Sequence, residues 1–452
     1  MQDKTQLPLS KIAVPFYLES LLRITLTSAD VVMLGFWSDK AVSAVGLVMN
    51  IAFFMQILYM MVSSGTNVVI AQNLGAKRYK EANDAGLASI GMVSLLALAL
   101  SVLVLCLIEP ILSLYKLDPE VHGYARDYLM VFSAGSIFMA VNIVQSTILR
   151  AHGYSKDPMF VTIFANLFNV AGNAVFIFGL FGAPKLGVMG VAISTVASQF
   201  IAFWVLGIRI KAREETRLPP LRDMLRVPRG IITSILGVGV PIAGENLSFN
   251  IGQLIIMGFI AGMDPLNMNL AANTYAITLL RFVFMPAMAI GVAAQIKTGY
   301  WVGAGQADTA KRKVYGYFAI GAAISLGLAL VLNIAKAPLL GILAHEAESA
   351  GAVAIAMALL PIAIFYEPGR CFNIIVIPAL KGAGDVRFPA VYGMISMWGV
   401  GVVLAYVFGV AMGMGLIGIW LGMAADEWSR GIIMMLRWRS GVWKGKSVVK
   451  AA

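Results

Sequence analysis

KAREETRLPPLRDMLRVPR, residues 211–229, is the longest hydrophilic stretch of the chain, with Pro219-Pro220 near its centre. Its charges and prolines have no place in hydrocarbon, so it reads as a connection outside a bilayer. Toward the N-terminus, apolar segments long enough to cross about 30 Å of hydrocarbon fall at 187–210, 158–183, 123–150, 86–109, 44–72 and 12–37. Toward the C-terminus they fall at 230–262, 270–302, 314–335, 350–382, 388–411 and 414–437. Six spans on each side predict an all-α polytopic membrane protein of 12 transmembrane helices in two pseudo-symmetric six-helix lobes. Residues 1–210 form the N-terminal lobe, 211–229 a cytoplasmic linker, 230–437 the C-terminal lobe and 438–452 a basic cytoplasmic tail.

Composition agrees. Of the 452 residues 59% are hydrophobic and 13% charged, with a mean hydropathy of +0.83. A soluble chain carries about 25% charged residues, so an ordinary cytosolic enzyme, a disordered chain and a secreted disulfide scaffold are excluded. The net charge of +11 does not point to nucleic acid, because membrane proteins collect Lys and Arg in cytoplasmic loops. With the N-terminus, the even-to-odd connections and the C-terminus on one side, that side holds 24 Lys and Arg and the other five. The bias places both termini in the cytoplasm. Cys106 and Cys371 sit in apolar stretches and read as small buried hydrophobes. His122, His152 and His345 show no ligand spacing, so no structural metal is expected. The first apolar segment is longer than a secretory leader's core and contains Asp30, so it reads as a span.

The halves echo one another. Val31-Val32-Met33-Leu34-Gly35-Phe36 matches Leu254-Ile255-Ile256-Met257-Gly258-Phe259, and Leu74-Gly75-Ala76 matches Val302-Gly303-Ala304. Leu149-Arg150-Ala151-His152-Gly153 matches Leu380-Lys381-Gly382-Ala383-Gly384, and Gly187-Val188-Met189-Gly190-Val191 matches Gly415-Leu416-Ile417-Gly418-Ile419. The offsets are 223, 228, 231 and 228 residues, in the same order, which indicates duplication. With six spans each, both halves enter from the same side, so the repeats are parallel, a transporter architecture with its path between the lobes.

A charge at the bilayer centre costs about 2.5–3.5 kcal/mol on insertion scales, so each one needs a reason. In the first span Glu19, Arg23, Thr27 and Asp30 share one helical face. Glu19 and Arg23 have pairing distance; Asp30 lacks a partner at helical spacing and is the strongest functional candidate. The fifth span presents Asn166, Asn169 and Asn173 on a narrow arc, and the sixth adds Thr195. The seventh carries Glu245, Asn246, Asn250 and Gln253, and the tenth Glu367, Arg370 and Asn373, with Pro241 and Pro368 close to the two glutamates. Glu367 with Arg370, and Asp426 with Arg430, also read as structural pairs. The Gly-xxx-Gly pairs Gly258/Gly262, Gly299/Gly303 and Gly418/Gly422 read as close-packing sites. No Walker A, His-Glu-x-x-His or Gly-x-Ser-x-Gly sequence is present, and no soluble segment is large enough for a nucleotide site. An enzyme is not expected, and a pump would have to draw on an ion gradient.

The chain resembles the multidrug and toxic compound extrusion (MATE) family over about residues 8 to 440. The resemblance is carried by Ala29-Asp30-Val31-Val32-Met33-Leu34-Gly35, Ala71-Gln72-Asn73-Leu74-Gly75-Ala76 and Asn169-Val170-Ala171-Gly172-Asn173. Gly187-Val188-Met189-Gly190-Val191-Ala192, Pro241-Ile242-Ala243-Gly244-Glu245 and Leu380-Lys381-Gly382-Ala383-Gly384-Asp385 extend it. It implies a V-shaped pair of lobes that alternates access and expels lipophilic, often cationic drugs in exchange for H+ or Na+, without a cofactor. It further implies a monomer in the bacterial cytoplasmic membrane, with no nucleic-acid partner. Asp30 matches the family's first-span aspartate, and Asn169, Asn173 and Thr195 match the positions completing that cation or proton site. Many relatives of the DinF-like branch carry an acid where this chain has Asn173. Glu245 and Glu367 match second-lobe acids of the NorM-like branch, with Gln253, Asn246 and Asn250 as cavity candidates. The alternative is a lipid-linked oligosaccharide flippase of the same superfamily. It would need a large basic cavity, whereas Arg23, Arg281, Lys297, Arg370 and Arg430 are spread over both lobes.

Overall fold

A computed structural model of the chain describes residues 3–220, 222–223, 227–264, 268–343 and 350–449; over 25–32 the description covers the helical backbone and not the side chains. No strand occurs among the described residues. The first half contains α1 (Ser10–Gly35), α2 (Asp39–Gly75), α3 (Tyr79–Cys106), α4 (Pro119–Ala151), α5 (Lys156–Phe178) and α6 (Gly187–Lys211). The second contains α7 (Arg229–Gly262), α8 (Met268–Gly303), α9 (Ala307–Leu343), α10 (Ile362–Gly382, preceded by the short helix Ala350–Leu359), α11 (Arg387–Ala411) and α12 (Gly415–Ser440). Ten of these helices are long and apolar enough to cross a membrane. The other two, α1 and α12, have 26 residues each, about 39 Å at 1.5 Å per residue, which is also enough to cross. The fold is the twelve-helix, two-lobe one expected from the hydropathy pattern.

Helix ends follow local chemistry. At the start of α4, Asp118 accepts a hydrogen bond from the Glu120 amide at 3.0 Å, with Pro119 in the first turn. Helix α5 stops at Phe178, short of the expected residue 183, because Gly179 adopts φ 72° and closes the helix through the Val175 carbonyl. Helix α9 is longer than its expected 314–335, because the charged turn from Ala307 continues the helix outside the apolar stretch.

The duplication extends to the turns. After α2, Arg78 N donates to Asn73 O at 2.8 Å around a left-handed Lys77 (φ 59°); after α8, Gln306 N donates to Trp301 O at 2.7 Å around Gly305 (φ 73°). After α4, Tyr154 N donates to Leu149 O at 2.9 Å around Gly153 (φ 87°); after α10, Asp385 N donates to Leu380 O at 3.0 Å around Gly384 (φ 93°). Each pair repeats at the offset of its echoed sequence patch.

The chain divides into two compact units, Met1–Gly239 and Val240–Ala452, with the boundary inside α7. In the first, α4 packs against α2, α3 and α6, while α1 packs on α5 and α5 on α6. In the second, α10 packs against α8, α9 and α12, and α12 lies along α11. Gly418 and Gly422 allow that last contact: a Cβ on Gly418 would sit 2.6 Å from the Phe408 backbone, and one on Gly422 2.5 Å from Ala405 N. Gly258 and Gly262 depart from the close-packing expectation, since nothing described lies within 4 Å of a Cβ at either. Cys371 is buried as expected; Cys106, the last residue of α3, is exposed, against the expectation.

Candidate functional site

On α5, Thr162, Asn166, Asn169 and Asn173 recur at three- and four-residue intervals, which is one face of a helix. Asn169 and Asn173 are buried, and Asn169 Nδ2 donates to Thr195 Oγ1 on α6 at 3.2 Å. Gly172 permits the approach of α6, because a Cβ there would lie 2.7 Å from Ser194 Oγ. Helix α1 packs mainly on α5 and touches α6. Asp30 and Thr27 belong to the part of α1 whose side chains lie outside the described residues, so the geometry of the set is given by Asn169, Asn173 and Thr195. Their oxygens are hard donors of the kind a small cation or a proton-bearing carboxyl takes.

Glu19 lies on the same helix but has different company. Its carboxylate is buried and pairs with Arg150 of α4 at 3.1 Å, and it accepts a bond from Thr162 of α5 at 3.4 Å. This long-range partner is one that hydropathy cannot foresee.

The second unit holds a buried charge network on α10 and α12. Arg370 Nη1 lies 3.3 Å from Glu367 Oε1, and Arg370 Nε lies 3.9 Å from Glu427 Oε1. Arg430 Nη2 lies 3.0 Å from Asp426 Oδ2 and 3.2 Å from Glu427 Oε2. Asn373 Nδ2 donates to both the backbone and the carboxylate of Glu427, and Ser396 of α11 donates to Asp426. Asn373 stands in a π-helical turn, Phe372–Val376, which rotates it toward α12; such turns recur at functional sites. The guanidinium of Arg370 also stacks over Phe284 at 4.1 Å. Three carboxylates face two guanidiniums, so the network carries one surplus negative charge when all its acids are ionised. Glu367 is fully buried, and its Oε2 has no hydrogen-bond partner among the described residues.

Glu245 lies close enough to act on Arg430 of this network, but has a base of its own. It is buried and its Oε2 lies 2.7 Å from Lys381 Nζ. Asn246 and Asn250 are half-buried, and Asn250 Nδ2 donates to the Asn246 carbonyl at 2.7 Å, a bond within the helix; Gln253 is half-buried one turn on. Sequence reasoning missed Glu427, Arg150 and Lys381. The last two count as loop cations in a topology tally, but both fall in the echoed patch that closes the fourth span of each half.

Where the chain turns after α4, outside the spans, Lys4 Nζ donates to His152 O at 2.9 Å and pairs with Glu215. Arg213 pairs with Asp157 at 2.7 Å and stacks over Tyr154 at 3.9 Å. Burial pushes the His152 imidazole down to about 4, against a smaller opposing effect of its bond to Ile148 O. Burial pushes the Glu215 carboxyl up, but hydrogen bonds from Lys4 and Tyr154 outweigh it and hold it below its ordinary value. His345 lies outside the described residues, and no metal-ligating group of His, Cys, Asp or Glu occurs among the described ones.

The MatE family model matches residues 15–175 and again 241–407, once in each half. The chain is 37% identical to the uncharacterized transporter YisQ of Bacillus subtilis, over 99% of this chain and 96% of that protein. It is 30% identical to a probable multidrug resistance protein NorM of Thermotoga maritima, over 98% and 94%. A crystal structure of a MATE in the bent conformation superposes with a TM-score of 0.89 at 19% identity, over 98% of this chain and 96% of that one. An outward-facing multidrug resistance MATE transporter of the MOP superfamily superposes with a TM-score of 0.87, also at 19% identity, over 96% and 94%. Twice-matched, related along its whole length and folded as two six-helix units, the chain belongs to the MatE family of membrane transporters.

Proposed function

We propose that the protein is a cation-coupled multidrug efflux antiporter of the bacterial cytoplasmic membrane. It exports lipophilic, often cationic compounds in exchange for H+ or Na+ by alternating access, with both termini cytoplasmic and no cofactor. The observation that carries the reading is the bonded pair Asn169–Thr195 with buried Asn173 on the same helix, α5, on which the helix that bears Asp30 packs. The similarity to multidrug resistance proteins supports drugs over lipid-linked sugars as cargo.

In this reading Asp30 is the ion-coupling carboxylate. In a low-dielectric site its charge is disfavoured until a cation or proton neutralises it. An ion arriving from outside neutralises Asp30 and changes the polar face shared by α1, α5 and α6, which weakens drug binding and favours outward release. Drug and ion then compete through one coupling free energy, and the competition is reciprocal. Each charge moving inward gains about 2.3 kcal/mol per 100 mV of membrane potential. The surplus acid of the second unit, centred on Glu367, is a second candidate for a mobile cation.

Asp30→Asn is expected to abolish ethidium efflux while expression stays unchanged. Transport into vesicles under separately imposed proton and sodium gradients identifies the ion. Wild-type resistance in the Asp30 variant would reject its role, and transport indifferent to both gradients would reject antiport.

A further inference from the structure

Both matches to the family model begin at the same kind of residue. The first starts at Pro15 and the second at Pro241, and each proline is followed four residues later by a buried glutamate, Glu19 and Glu245. Each glutamate meets a base in the echoed patch at the end of the fourth span. Glu19 lies 3.1 Å from Arg150, and Glu245 lies 2.7 Å from Lys381. The glutamates are 226 residues apart and the bases 231, within the range of offsets that relate the halves.

The third side of each contact repeats too. In the first half Thr162 of α5 donates to Glu19 Oε1 at 3.4 Å. Its counterpart, 231 residues on, is Gly393 of α11, and a Cβ built there would lie 3.4 Å from Glu245 Oε1. One half supplies a hydroxyl where the other leaves a bare backbone, and in both the carboxylate joins the first, fourth and fifth spans of its own half.

We infer that Glu19–Arg150 and Glu245–Lys381 are two copies of one positioning pair, and that Glu245 holds α7 to α10 and α11 rather than carrying the exchanged cation. This rests on the reading of the protein as a cation-coupled exporter. A carboxylate already neutralised by a resident ammonium at 2.7 Å leaves no net charge to attract a second cation. Its symmetry mate is Glu19, which is likewise paired with a base, and not Asp30. The second unit's uncompensated charge lies instead in the network of Glu367, Asp426 and Glu427 with Arg370 and Arg430.

The test measures ethidium transport in everted membrane vesicles under imposed proton and sodium gradients, together with its pH profile. Glu245→Leu and Lys381→Leu alone are each expected to lose transport by about fivefold or more, since each leaves a buried charge without its partner. The double variant is expected to return to within about twofold of wild type with an unchanged pH profile and ion dependence. Lys381→Arg and Arg150→Lys, which exchange the bases of the two halves, are expected to keep activity. Should the apolar double variant not reach the membrane, the charge-reversed Glu245→Lys/Lys381→Glu variant replaces it and is expected to regain coupling. A double or reversed variant present in the membrane but uncoupled, single variants as active as wild type, or loss on exchanging the bases would overturn the assignment. Wild-type vesicles that ignore both gradients would instead reject the exporter reading itself, so the two failures are separable.

Discussion

Single charges carry most of the chemistry. In the α10–α12 network, removing a guanidinium and removing a carboxylate have opposite consequences. Arg430→Leu leaves Asp426 and Glu427 without their nearest cation, and breaking a buried pair costs about 3–5 kcal/mol. A collapse of thermal stability in detergent is expected. Glu367→Gln removes the surplus charge and keeps the shape, so stability should hold or rise while any ion dependence contributed by the second unit is lost. A large fall in melting temperature for Glu367→Gln, or none for Arg430→Leu, would contradict the charge count. His152 behaves differently, because it is buried and neutral at the turn after α4, with its value lowered to about 4 from 6.5. Between those values the unfolded chain binds a proton that the folded chain does not, so stability rises with pH across this window. The full contribution is present above about pH 6.5, and about 3 kcal/mol is lost as the pH falls below about 4. His152→Gln is expected to flatten that part of the melting-temperature profile; an unchanged slope would mean another group titrates there.

Helices supply the geometry that these charges need, and glycine decides how closely they approach. The α11–α12 contact tolerates no Cβ at Gly418 or Gly422, where backbone atoms would lie 2.6 and 2.5 Å away. Gly422→Ala should therefore force a backbone shift costing about 1–3 kcal/mol. Gly258 has nothing described within 4 Å of a Cβ, and alanine there should be neutral or stabilise by up to about 1 kcal/mol through helix propensity. Comparing the melting temperatures of Gly258→Ala and Gly422→Ala checks both, and equal effects would show that the contact is not close-packed. The same motif at both sites explains a limit of sequence reading: Gly-xxx-Gly marks a face able to pack closely, while the neighbour that fills it comes from elsewhere in the chain. The π-turn at Phe372–Val376 was equally invisible, because its residues have ordinary helical propensities and the extra residue is stabilised by what Asn373 meets on α12.

Across the whole molecule, the span count, the order of the helices and the internal repeat were legible because hydrocarbon thickness fixes helix length and a duplicated chain keeps its spacing. The polar faces of α5 and α10 were legible for the same reason, since polar groups inside an apolar span are rare enough to be noticed. Partners within one helix, Glu367 with Arg370 and Asp426 with Arg430, were legible from their spacing. Partners on other helices were not: Arg150 and Lys381 stand at helix ends where cations are common, and Glu427 gains meaning only beside Asn373 and Arg370. The proposed orientation rests on the distribution of Lys and Arg, 24 against five, and is open to a direct test. In the proposed orientation the turn after α4 is inside and the connection before it outside, so cysteines introduced at Lys156 and Lys116 should label from opposite sides. Cys106 and Cys371 are first replaced by Ala, since Cys106 is exposed and would itself react. A membrane-impermeant maleimide is expected to modify Lys116→Cys in intact cells and Lys156→Cys only after permeabilisation. The reverse pattern would invert the protein in the membrane and, with it, the direction in which an ion reaching Asp30 could drive export.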